Sequence, residues 1–116
     1  MTILYTTPAP PYYAVIFTSV LAKNVDGYIE MAERMEALAR KQAGFLGIDS
    51  ARSDVGITVS YWQSLEDIDR WKANAAHLVA QDQGRRQWYQ SFATRVARVE
   101  RDNFFALDDS ANSTDR

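Results

Sequence analysis

The run Tyr12-Tyr13-Ala14-Val15-Ile16-Phe17-Thr18-Ser19-Val20-Leu21 constrains this chain more than any other segment. It is rich in β-branched and aromatic residues and lacks helix-type spacing, so it reads as a strand. Alternation sets Tyr13, Val15 and Phe17 on one face and Tyr12, Ala14 and Ile16 on the other. Both faces are apolar over the first half, so the strand is expected to be covered on two sides.

The segments around it supply only one cover. After Lys23-Asn24-Val25-Asp26-Gly27 comes an amphipathic helix, with Asp26 the candidate N-cap and Tyr28, Met31, Ala32, Met35, Leu38 and Ala39 at helical spacing. On its polar side, Glu30 with Arg34 and Glu36 with Arg40 are favourable i, i+4 pairs. Gly44 suits a left-handed stop. Phe45 to Arg52 reads as a second strand, Ser53 to Gly56 as a hairpin turn, and Ile57 to Trp62 as a third strand. Ser64-Leu65-Glu66-Asp67 resembles a capping box and opens a second helix through Ile68, Trp71, Ala75 and Leu78. Gly84 is expected to break it, with a further turn through Arg85 to Gln90 before a last strand from about Phe92 to Asp102. That strand mixes Val96 and Val99 with Arg95, Arg98, Glu100 and Arg101, as an edge strand does.

The order β-α-β-β-α-β is the ferredoxin-like α+β arrangement: a four-stranded antiparallel sheet with two helices on one face. The other face of the first strand is then left bare, and a second copy of the chain is the simplest cover, which predicts a homodimer. Residues 1–11, with Pro8, Pro10 and Pro11, are an extended lead-in; residues 12–105 form the domain; residues 106–116 form a polar, disordered tail. At 116 residues there is no room for a second domain.

Composition narrows the chemistry. Without cysteine there is no disulfide, thiolate metal cage or Cys nucleophile, and a single His excludes a His-only metal cluster within one chain. No metal site is expected. A net charge of −2 argues against general nucleic-acid binding. Met1 to Ala22 is interrupted by prolines and polar residues, so neither a signal peptide nor a membrane span is expected, and the expected location is cytoplasmic.

The strand YYAVIFTS, the segment GFLGIDSAR, the block SYWQSLEDIDRWKANAAH and the closing WYQSFATRVARVER resemble bacterial proteins of the antibiotic biosynthesis monooxygenase (ABM) domain family over roughly residues 12–103. The resemblance implies a dimeric α+β barrel, in which two sheets pack face to face and each subunit keeps a pocket between sheet and helices. It also implies a range of activities. Some members oxidise aromatic, polyketide-like substrates with molecular oxygen and no cofactor; related ones cleave haem; others have no assigned reaction.

Cofactor-independent oxidation needs an electron-rich phenolate or enolate, an apolar cavity, donors for the anion and exclusion of water. Trp71, His77 and Arg95 are the candidate catalytic residues, and Tyr13, Tyr61, Trp62, Trp88 and Tyr89 the candidate substrate-binding residues. A closed pocket near Trp71 and His77 is expected. Each residue has a plainer reading: His77 as a surface or capping residue, Trp62 and Trp71 as core, the arginines (Arg85 and Arg86 included) as surface ion pairs. Asp67 and Glu66 belong to the helix cap. In haem-cleaving relatives a Trp and a His on this helix act with an Asn on the first strand. No Asn lies between Tyr12 and Ala22, which argues against haem. The leading expectation is an oxygenase with molecular oxygen as co-substrate; the alternatives are a non-catalytic dimeric small-molecule-binding module and a haem-binding or haem-degrading protein.

Overall fold

The computed structural model describes Leu4, residues 6–81 and residues 88–107. Strand β1 (Tyr12–Leu21) lies in the interior of the sheet, as its two apolar faces require. It is followed by α1 (Tyr28–Arg40), β2 (Phe45–Arg52), β3 (Gly56–Trp62), α2 (Leu65–Gln81) and β4 (Tyr89–Val99). The sheet order is β2-β3-β1-β4, with every neighbouring pair antiparallel. This is the ferredoxin-like topology that the element order predicts.

Register and alternation sort the side chains. One face carries Tyr13, Val15, Phe17 and Ser19 of β1, beside Trp62, Ser60, Thr58 and Gly56 of β3. The helices cover this face: Val15, Trp62, Ala39 of α1 and Ile68 of α2 form the core, with Tyr13, Phe45 and Trp71 packed against it. The other face carries Tyr12, Ala14, Ile16 and Thr18, beside Tyr61, Val59 and Ile57 of β3 and Ala97, Arg95 and Ala93 of β4.

Four boundaries differ from the sequence reading, the first being that β3 begins at Gly56, paired with Arg52, and not at Ile57. The N-cap of α1 is Gly27, in the left-handed region at φ 82°, and not Asp26. The backbone reverses one residue later than expected, at the residue that tolerates that conformation best, and no side chain caps the helix. Strand β4 starts at Tyr89 and ends at Val99, against the expected Phe92 to Asp102. Its early start comes from pairing with β1, which continues past a register shift at Val20 and Leu21 to bring Tyr89 opposite Leu21. Tyr89 and Gln90 are thus strand residues; the expected turn through Gly84, Arg85 and Arg86 lies outside the described residues, as does the tail from residue 108.

The cap of α2 is the one read from the sequence. The Asp67 backbone N–H donates to Ser64 Oγ at 3.1 Å, and the Ser64 hydroxyl donates to Asp67 Oδ2 at 2.8 Å. Gly44 leans on this cap. Its φ is +84°, its carbonyl accepts from Gln63 N–H at 2.9 Å, and a Cβ there would fall inside the Asp67 carboxylate. Gly44→Ala is therefore expected to cost about 2 kcal/mol, from left-handed strain and displacement of the capping carboxylate. A urea midpoint equal to that of the parent chain would contradict this.

Candidate active site

At the end of the sheet where α1 begins, the helix-covered face gathers a cluster of rings. Phe17 lies 5.3 Å from Tyr89 and 5.4 Å from Phe92, centroid to centroid. Tyr28, the first residue of α1, meets Tyr89 edge-on at 5.8 Å and Trp88 at 6.3 Å. Two hydrogen bonds fix the entry to β4: Ala22 N–H donates to the Trp88 carbonyl at 2.7 Å, and Trp88 Nε1–H donates to the Asp26 carbonyl at 2.7 Å. Trp88 is thereby buried. By contrast, Phe92 is 62% exposed and Val96, on the same face of β4, is 44% exposed, so the helices leave this strip of the sheet open. The result is an apolar wall beside a packed ring cluster.

Polar groups enter the cluster from two sides. The Tyr89 hydroxyl shares a hydrogen bond with Tyr28, and burial, then the Tyr28 phenol, push its pKa well above that of a free phenol, with Arg52 opposing. Tyr89 is therefore protonated at neutral pH, and one of the pair's two hydroxyl protons is taken up by the bond between them. Arg52 comes from the last position of β2. Its guanidinium donates to the Ser19 hydroxyl and, more weakly, to the Ser19 carbonyl at 3.4 Å, and lies 5.8 Å from the Tyr28 ring centroid. Arg52, Gly56 and Ser19 form one row across three strands.

The opposite face is built differently. Tyr12 donates to Asp102 Oδ2 at 2.7 Å, Thr7 donates to the same oxygen at 3.3 Å, and Tyr61 donates to Asp49 Oδ2 at 3.0 Å. Burial, then the hydrogen bond to Asp49, pushes the Tyr61 phenol up to about 12. A concavity of about 340 Å³ at the end of the sheet is lined by Thr18, Val20, Val55, Ser91, Ala93 and Arg95, and also by Ser19 and Phe92.

The sequence model of the antibiotic biosynthesis monooxygenase family matches residues 11–83. The chain belongs to this family. It is 51% identical over 107 residues to the uncharacterised protein YqjZ of Bacillus subtilis, an alignment covering 90% of this chain and 94% of that one. Among solved structures, the fold is shared with SnoaB, a cofactor-independent oxygenase from Streptomyces nogalater (12% identity, TM-score 0.64, covering 79% of this chain and 95% of that one). It is also shared with a variant of MhuD holding two manganese protoporphyrin IX groups per active site (18% identity, TM-score 0.63, covering 79% and 98%). At such identities these two structures speak to the fold alone.

Within this ABM domain the candidate residues fall into separate places. Trp88 and Tyr89 stand in the ring cluster. Trp71 of α2 is stacked on Trp62 at 5.8 Å and 20°; Trp62 is in the buried core, and Trp71 and Tyr13 are partly buried against it. His77 is exposed on α2. Arg95 pairs with Ile16 and so lies, with Tyr61, on the face away from the helices. Trp71, His77 and Arg95 do not converge, and neither Trp71 nor His77 lines the concavity. The sequence reading did not single out Phe17, Ser19, Tyr28, Arg52, Gly56 or Phe92 for the site. A usable signal was present in Arg52-Ser53-Asp54-Val55-Gly56: hairpin closure over a three-residue turn sets an arginine opposite a glycine.

Proposed function

We propose that this ABM-family chain is a cofactor-independent monooxygenase that oxidises an aromatic or quinone-like small molecule, and that it works as a homodimer in the cytoplasm. The observation that carries this reading is the Tyr28–Tyr89 phenol pair set among Phe17, Trp88 and Phe92 beside an open apolar strip of β4. A flat substrate lies against the rings. Its phenolate or enolate oxygen accepts from the Tyr28–Tyr89 pair, which holds two hydroxyl protons and uses one in its mutual hydrogen bond. The electron-rich carbon then reduces molecular oxygen: for an anthrone, the methylene loses two hydrogens, gains one oxygen atom as a carbonyl, and the second oxygen leaves as water.

Oxygen uptake across a panel of anthrones and hydroquinones tests this. The expected result is quinone formation with one O₂ consumed per anthrone, and a kcat at least about tenfold lower in Tyr89→Phe, the loss of one oxyanion donor. Thermal stabilisation by the same compounds without oxygen uptake would replace the oxygenase with a binding module. A Soret shift on hemin titration that disappears in His77→Ala would replace it with a haem protein. Among the described residues no helix is long and apolar enough to cross a membrane.

A further inference from the structure

The ring cluster holds a cation for which the oxygen chemistry above has no use. Arg40 is paired with Glu36 at 2.7 Å, Arg70 with Asp67, and Arg98 with Glu100 at 3.4 Å. Among the described residues no carboxylate pairs with Arg52. Its guanidinium is nevertheless held in place, by the Ser19 hydroxyl and carbonyl and by the Tyr28 ring.

Gly56 makes that placement available. It sits between Arg52 and Ser19 in the same row of the sheet, and a Cβ at Gly56 would occupy the space of the Arg52 guanidinium. The absence of one side chain thus lets the arginine lie flat across β3 onto β1. Ser19 takes one donor from each terminal nitrogen of the fork, which leaves Nε–H and the second N–H of each terminal nitrogen without a partner among the described residues, on an arginine that is exposed as a whole. The guanidinium lies against the Tyr28 ring, which meets Tyr89, and Tyr89 in turn meets Phe17 and the exposed Phe92. A planar cation fork bordering ring faces matches a flat aromatic molecule that carries a carboxylate or comparable oxyanion.

We propose that Arg52 is the specificity-determining residue of this site, anchoring the anionic group of an aromatic ligand, with Gly56 and Ser19 as its positioning residues. The proposal rests on the ring cluster being the ligand site, and does not depend on turnover. It is tested by binding of naphthoate and its neutral isostere naphthamide, followed by tryptophan fluorescence and calorimetry. The parent chain binds naphthoate about tenfold more tightly than naphthamide, the scale of a charge-assisted bidentate contact, and the preference shrinks with added salt.

Arg52→Gln removes the preference, so that the two probes bind alike; Arg52→Lys retains part of it. Gly56→Ala, with an ordinary negative-φ backbone and a flexible neighbour to displace, keeps the fold by its urea midpoint and loses the preference. Equal binding of both probes by the parent chain, binding of neither, or a preference that survives Arg52→Gln would overturn the proposal. A purely structural Arg52 would lower the urea midpoint without changing the ratio of the two affinities, which also overturns it. Since no oxygen is consumed, this result and that of the uptake assay are independent.

Discussion

Trp62→Ala is expected to remove about 3–5 kcal/mol of stability, out of the roughly 5–15 kcal/mol that holds a domain of this kind together. Trp62 is 0% exposed and ends β3 where the helices press on the sheet. Its ring is stacked on Trp71 and meets Phe45 edge-on at 5.5 Å, while its register neighbours are Tyr13 and Phe45. Truncation opens a cavity between sheet and α2 that none of these rings can fill without leaving its own place. Its Nε1–H also donates to Ser60 Oγ at 2.8 Å, a bond buried on both sides. Trp62→Phe keeps most of the volume and loses this donor, so it should cost about 1–2 kcal/mol. Leu65→Ala, at a residue exposed on α2, should stay within about 0.5 kcal/mol of the parent. Urea unfolding followed by the remaining tryptophans ranks the three; a Trp62→Ala midpoint close to that of Leu65→Ala would refute this view of the core.

What was legible in the sequence was what local chemistry decides. Strand β2 runs from Phe45 to Arg52 as read, bracketed by Gly44 in its left-handed conformation and by the turn at Ser53 to Val55, where Ser53 N–H donates to the Val55 carbonyl at 3.1 Å. The start of α2 follows from Ser64, whose hydroxyl competes for the Asp67 backbone N–H within one turn. The errors arose where distant chain decides. Tyr89, Gln90 and Ser91 have no strong strand pattern of their own and become strand because β1 continues past its register shift and offers them partners.

The site follows the same division. Trp88 and Tyr89 were readable as wide rings in excess of the core's needs. Arg52 was not, since its role depends on Gly56 and Ser19, and hence on the register of three strands. Arg95 lies on the opposite face from Trp71 for the same reason: alternation within β4 orders its side chains, but only the pairing with Ile16 says which face each takes.

Ile57→Glu is expected to convert the proposed dimer to single chains, raising the dissociation constant at least about 100-fold, since each copy would bury an unpaired carboxylate in the contact. Ile57 is 46% exposed within one chain, on the face that carries Ile16, Val59, Ala93 and Ala97 and no helix. A charge there costs a lone chain almost nothing, so the effect reads the contact and not the fold. The same face already satisfies its inner carboxylate: Asp49 accepts from Tyr61, as Asp102 at the sheet end accepts from Tyr12. Those hydrogen bonds lower the cost of covering this surface. Ile29→Glu, at a residue of α1 that is also exposed, serves as the control and should leave the dimer intact. Sedimentation equilibrium at micromolar concentration should give twice the chain mass for the parent and Ile29→Glu and one chain mass for Ile57→Glu. A parent that sediments as one chain, or an Ile57→Glu variant that still sediments as two, would mean that the apolar second face of β1 is covered by something other than its own copy.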